Sequence, residues 1–167
     1  MLALWRRRYE RLLEWIAVVL MGALAVEVTA GVAFRYSGYS LVWYDEVATI
    51  LLAWVTFYGS ALAVMKHGHM GVPEIVRMLP PGLRVGATVF AQLCTLAFFL
   101  LLAWMGYVVL EVLATDRLVS LPEVSVAYAQ SVIPVSAVLI IIAQVLVFPE
   151  LLREARRGDI EKAEELI

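Results

Sequence analysis

Long runs of apolar residues alternate with short polar connections along this chain. The runs cover residues 15–34, 47–65, 85–110 and 124–148. A helix needs about 20 apolar residues to cross the hydrocarbon core of a bilayer, and each run is close to or above that length. Because lipid cannot satisfy open backbone N–H and C=O groups, we expect each run to form a helix. The pattern therefore predicts an all-α integral membrane protein with four transmembrane helices.

Polar segments flank this predicted membrane domain, which covers residues 15–148. Residues 1–14 alternate Leu, Trp and Tyr with Arg, so apolar and basic groups would divide onto two faces of a helix. We expect this N-terminal segment to be an amphipathic helix lying on the cytoplasmic membrane surface. Residues 149–167 are rich in Glu, Arg, Ala and Leu, and we expect them to form a solvated cytoplasmic tail.

The composition indicates that lipid is part of the solvent. Hydrophobic residues make up 63% of the chain and charged residues 17%, and the mean hydropathy is +0.87. Soluble domains are typically about half apolar and a quarter charged. The net charge of −2 gives no reason to expect a nucleic-acid partner.

Positive charges are concentrated on one side of the predicted spans. Of the 13 Lys and Arg residues, all but Arg35 and Arg117 fall in the N-terminal segment, the second connection or the tail. The positive-inside rule makes these regions cytoplasmic, so both ends of the chain are expected inside. Asp45 and Glu46 would then lie on the outer side of the membrane, and Lys66 at the inner end of the second span.

Glu27 is the only charged residue inside the four runs. It lies about 18 Å into the first run at 1.5 Å per residue, where an unpaired carboxylate is costly. Ala23 and Gly31 share its helical face and would let another helix approach closely. Two interpretations stay open: a carboxyl group hydrogen-bonded to a neighbouring helix or partner subunit, which we favour, or a coupling or proton site.

Two further residues predict how the helices pack. Gly59 lies on one stripe of the second run together with other small and aliphatic residues, which is typical of a helix–helix contact. Pro134 has no backbone N–H, so we expect it to kink the fourth run.

The residues that could carry chemistry are too few and too scattered for a catalytic or cofactor site. Cys94 is the single cysteine, and His67 and His69 lie two residues apart in one polar connection. This spacing supplies neither axial ligands for a haem in a bundle interior nor a zinc set. We therefore predict no enzymatic activity, no cofactor and no metal site, and interpret the chain as an accessory subunit that packs against a larger membrane protein.

One stretch of the chain adds a family signal to this interpretation. It carries Arg35-Tyr36, Trp43, Asp45-Glu46, Trp54, Phe57, Gly59, His69-Met70-Gly71-Val72 and Leu79-Pro80. Together with four spans and both ends inside, these positions resemble the small membrane subunit of TRAP transporters (tripartite ATP-independent periplasmic transporters), the DctQ-like family.

The resemblance implies a role in a bacterial or archaeal inner membrane. In such systems a periplasmic substrate-binding protein captures an organic acid, and a large multi-span permease subunit carries it. The large subunit holds the sodium and substrate sites and works as an elevator, and the small subunit is its fixed scaffold. The partners expected for this chain are therefore the large permease subunit, the binding protein and the lipid bilayer.

The resemblance also implies roles for particular residues. It places docking of the binding protein at Arg35, Trp43, Asp45 and Glu46. It assigns inter-subunit or interhelix packing to Glu27, Trp54 and Gly59, and anchoring at the cytoplasmic end to Lys66 and His69.

Other functions stay open at this point. A small electron-transfer or enzyme-anchor subunit would show bound-cofactor absorbance or turnover, and a self-assembling channel-like bundle would conduct ions alone. The transported substrate is also open among dicarboxylates, sugar acids, keto acids and sialic acid.

Overall fold

The chain folds into long helices joined by short connections. The computed structural model describes residues 2–39, 41–66 and 80–164. Within these residues the helices are α1 (Leu2–Tyr36), α2 (Tyr44–Met65), α3 (Pro81–Leu113), α4 (Val126–Gln130) and α5 (Val132–Glu164).

Four helical stretches are long and apolar enough to cross a membrane. They cover Leu4–Tyr36, Tyr44–Met65, Leu83–Leu113 and Val126–Arg153. Each contains most or all of one predicted run, so the prediction of an all-α protein with four potential membrane spans is confirmed.

The helices pack in the order α1, α2, α5, α3, with α2 and α5 on the inside of the row. The contacts of α1 with α2 run from Leu13 beside Met65 to Gly31 beside Tyr44, so these two helices are antiparallel. The start of α1 and the last part of α5 meet in an ion pair between Arg6 and Glu150. Both termini of the helical assembly therefore lie at one end, which we call the termini end. The connections 37–43 and 114–125 form the opposite connection end.

The buried core lies toward the termini end. Leu13 of α1, Met65 of α2 and Ala143 of α5 have no exposed surface, and they belong to one cluster with Ala61, Val64, Ile140 and Val147. Most other apolar side chains of the long helices are exposed, as expected for helices that face lipid or a partner subunit.

The first helix corrects one prediction. A separate surface helix over residues 1–14 is not found, because residues 2–14 continue into α1 without a break. Their side chains pack inward: Tyr9 donates a hydrogen bond to the Leu139 carbonyl at 2.7 Å, and Leu13 is fully buried. These contacts join the start of α1 to α5.

The fourth span is broken rather than kinked in its interior. The short helix α4 ends at Gln130, and α5 begins at Val132. Pro134 lies in the first turn of α5, where it has no N–H to donate to the Gln130 carbonyl, so one helical hydrogen bond is missing at the break. Helix α3 comes close here: a Cβ atom on Gly106 would lie 3.1 Å from Cδ of Pro134.

Candidate docking surfaces

The connection end is organised by the carboxylate of Glu46. Glu46 lies in the first turn of α2 and accepts hydrogen bonds from the backbone N–H of Val119 at 3.2 Å and of Ser120 at 2.8 Å. The Ser120 hydroxyl donates to the same carboxylate. An acidic group also suits the positive end of the helix dipole at an N-terminus. Glu46 thus ties the start of α2 to the connection between α3 and α4.

That connection has a defined internal structure of its own. The N–H of Leu118 donates to the Val124 carbonyl at 3.0 Å, and the N–H of Val126 donates to the Asp116 carbonyl at 3.0 Å. Ser125 caps α4 by accepting a hydrogen bond from the Ala127 N–H at 3.2 Å. The residues that Glu46 holds therefore belong to a folded turn.

The predicted docking residues all lie at the connection end. Arg35 is in the last turn of α1 and Asp45 in the first turn of α2, and both are exposed. Trp43 directly precedes α2 and is 38% exposed. Glu46 is half-buried by its contacts with the connection. The ion pair of Arg35 with Asp45 or Glu46 that the sequence allows is absent from this described region.

Trp54 takes part in packing within the chain. Its indole Nε1 donates a hydrogen bond to the Ala129 carbonyl of α4 at 3.0 Å, and its ring lies 6.3 Å from the Tyr58 ring between centroids. Gly59 behaves differently, since a Cβ atom placed on it would meet open space. The stripe around Gly59 therefore stays available to lipid or to another subunit.

Lys66 closes the termini end of α2. Its Nζ lies 2.5 Å from a carboxylate oxygen of Glu14 on α1. The hydrogen bond and the charge of Glu14 raise the pKa of Lys66 above its usual value, so the pair persists at neutral pH. His69, the other residue assigned to this end, lies outside the described residues, as does His67.

Glu27 lines a cleft on the side of α1 near the connection end. The cleft has a volume of about 480 Å³ and is bounded by Gly22, Ala23, Val26 and Ala30 of α1 and by Leu41 and Trp43. Both carboxylate oxygens of Glu27 are covered by the chain, and neither has a hydrogen-bond partner. Gly31, on the same face, is occupied by the Tyr44 ring, which leaves no room for a Cβ atom.

The described residues bring no metal-binding set together. No group of three or more His, Cys, Asp or Glu residues lies close enough among them to hold an ion. Cys94 is exposed on α3, on a face that α5 does not cover.

Sequence reasoning missed the partners of the docking residues. Ser120 and Ala129 are ordinary residues in the sequence, and only the fold brings them to Glu46 and Trp54. Ser125 had a readable signal, because a serine just before a short apolar helix is a preferred N-cap.

Comparison with known proteins agrees with this architecture. The family described as "Tripartite ATP-independent periplasmic transporters, DctQ component" matches residues 24–154. The "C4-dicarboxylate TRAP transporter small permease protein DctQ" of Vibrio cholerae is 31% identical over 90 residues, which cover 53% of this chain and 39% of that protein. The "Uncharacterized protein y4mM" of Sinorhizobium fredii is 33% identical over 151 residues, which cover 86% of this chain and 27% of that protein.

The chain thus spans less than half the length of either relative. The family match nevertheless covers most of the chain and includes all four potential spans in whole or in part. The family is a transport component, which confirms the prediction that the chain is not an enzyme. The chain belongs to the DctQ component family of the tripartite ATP-independent periplasmic transporters.

Proposed function

We propose that this protein is the small membrane subunit of a TRAP transporter and acts as the fixed scaffold for a large permease subunit. The observation that carries the proposal is the family match over residues 24–154 on a fold with four potential membrane spans. The proposal includes sodium-coupled uptake of an organic acid and docking of a periplasmic substrate-binding protein. It places the chain in the inner membrane as a multi-pass protein.

The relatives support a larger partner. The Sinorhizobium protein contains a region similar to 86% of this chain, but that region is only 27% of its length. A small unit carried within a much longer polypeptide is expected when the unit works beside a larger one.

The charge distribution supports an orientation with both ends inside. The termini end carries Arg6, Lys66 and Arg84, and the connection end carries Arg35 and Arg117. By the positive-inside rule the termini end is cytoplasmic and the connection end periplasmic. Alkaline phosphatase and green fluorescent protein fused in turn to the C-terminus test this: fluorescence without phosphatase activity is expected, and the reverse would contradict it.

The distribution of contacts supports a scaffold. The core at the termini end joins α1, α2 and α5, and Arg6, Tyr9 and Lys66 add polar contacts between helices there. None of the residues in the most apolar part of α3 is buried. One end of the assembly is therefore held together, while long apolar faces remain for a second subunit.

The connection end supplies a surface for the binding protein. Arg35 and Asp45 are exposed there, Trp43 is partly exposed, and Glu46 holds the neighbouring turn in place. Charged groups at the rim of a contact set orientation and association rate more than affinity. We therefore expect Arg35→Glu or Asp45→Lys to lower the rate of association with the binding protein and to change its salt dependence.

Reconstitution tests the function as a whole. The chain, the large permease subunit of the same organism and its binding protein are placed in proteoliposomes, and uptake of radiolabelled succinate, galacturonate, pyruvate and sialic acid is measured. We expect uptake of one of these acids to require all three proteins and an inward sodium gradient. Equal uptake without this chain would refute the scaffold role.

A further inference from the structure

The cleft around Glu27 combines two features that lipid alone does not explain. The first is shape: Gly22, Ala23 and Ala30 are small residues on α1, so the backbone of another helix can approach closely there. The second is an acidic group in an otherwise apolar lining, within a potential membrane span. Small residues by themselves fit lipid chains as well as a protein helix, so the carboxyl group decides between them.

The carboxyl group of Glu27 is incomplete within this chain. Both of its oxygens are covered by the chain's own atoms, and neither accepts or donates a hydrogen bond to a described residue. Buried polar groups in proteins are almost always satisfied, and the cost of leaving one unsatisfied is higher where water is excluded. The missing donor must therefore come from outside the described chain.

The residues around the cleft cannot supply that donor with their side chains, except Trp43. The other lining residues are Gly, Ala, Val and Leu, which carry no side-chain N–H or O–H group. Trp43 has a single indole N–H, but it makes no hydrogen bond to Glu27, and one donor could satisfy only one of the two oxygens. A guanidinium group carries two parallel donors in a geometry that matches both oxygens of a carboxylate.

We propose that the Glu27 cleft receives a transmembrane helix of the large permease subunit, and that a basic side chain of that helix, best an arginine, pairs with Glu27. This inference rests on the proposed function and names the contact through which the two membrane subunits join. The flexible Glu27 side chain already lines the cleft, so rotation about its χ angles carries the carboxylate toward the open side. Charge complementarity and close backbone approach then act at one place.

Photo-crosslinking tests the location of the contact without altering Glu27. A photoreactive amino acid replaces Val26, which lines the cleft and is 71% exposed, or Val28, which points elsewhere on α1 and is 41% exposed. The chain is co-expressed with the tagged large subunit, and crosslinked peptides are identified by mass spectrometry. We expect crosslinks from position 26 to one spanning helix of the large subunit that contains Arg or Lys, and few or none from position 28.

Charge reversal tests the chemistry. Glu27→Lys places two positive charges together, and we expect about 30-fold or weaker association with the large subunit, as for loss of a buried charge pair. Reversal of the crosslinked basic residue to Glu should restore association. The matched control is Glu111→Lys, which makes the same change at an exposed acid near the end of α3 and should leave association unchanged.

The outcomes separate this inference from the proposed function. If the wild-type chain forms a complex but crosslinks from position 28 instead of 26, or if Glu27→Lys binds as well as the wild type, the cleft is not the contact and the scaffold role stands. Crosslinks from position 26 only to lipid or to a second copy of the chain overturn the inference in the same way. If the wild-type chain forms no complex with the large subunit, the proposed function and the inference both fail.

Discussion

Leu13 is the most direct probe of how the first helix is fixed to the others. It has no exposed surface, whereas the preceding Leu12 is 51% exposed. In soluble proteins a buried Leu→Ala change costs about 2–5 kcal/mol, from lost transfer free energy and from the cavity left behind. Lipid is as apolar as leucine, so the transfer contribution largely disappears in a membrane. We therefore expect Leu13→Ala to lower the free energy of unfolding by about 2–3 kcal/mol.

Unfolding of the purified protein in mixed micelles by titration with sodium dodecyl sulfate measures this change. Tryptophan fluorescence follows the separation of the helices, and circular dichroism checks that helix content is retained before the transition. Leu12→Ala is the matched control, with an expected change below about 0.5 kcal/mol because the side chain faces outward. Equal destabilisation by the two substitutions would refute the packing of residues 2–14 against α2 and α5.

Three further substitutions probe the connection end and the close contact of α3 with α5. Trp54→Phe should lower the free energy of unfolding by about 1 kcal/mol, because the hydrogen bond to the Ala129 carbonyl is lost. Glu46→Ala should speed hydrogen exchange at the Ser120 amide, since that N–H loses its acceptor. Gly106→Ala should be less favourable than an unhindered Gly→Ala change by about 1 kcal/mol or more, because the new methyl group crowds the Pro134 ring.

Each of these predictions has a control in the same chain. Trp104→Phe alters an exposed tryptophan of α3 and should change stability little, so an equal loss would contradict the role of the Trp54 hydrogen bond. Asp45→Ala should leave exchange at the Ser120 amide unchanged. Gly86→Ala fills open space on α3 and should stabilise the helix by about 0.5–1 kcal/mol; the same gain at Gly106 would contradict the close contact.

The hydropathy pattern predicted the helical spans because their cause is local. An apolar run of about 20 residues has few alternatives to a helix in lipid, and all four potential spans follow these runs. The start of α1 at Leu2 was not predicted. Hydropathy ends at the Arg-rich turn, whereas the helix continues because Tyr9 and Leu13 pack against other helices.

The contacts of the site residues were harder to predict because they depend on distant parts of the chain. Glu46 was expected to face a partner or Arg35, but it binds amides more than 70 residues away in sequence. Pro134 was expected to kink a continuous helix, and the fold instead breaks the span just before it. Glu27 could be recognised from sequence as a costly group, and its lack of a partner in the described chain became visible only in three dimensions.

Co-purification measures the central claim most directly. The tagged chain is expressed together with the untagged large permease subunit of the same organism, extracted in mild detergent, and analysed by size-exclusion chromatography with mass measurement. The account predicts a stable complex with equal numbers of the two subunits, and sodium-driven uptake only from liposomes that contain both. A chain that purifies alone while the large subunit transports at full rate without it would contradict the account.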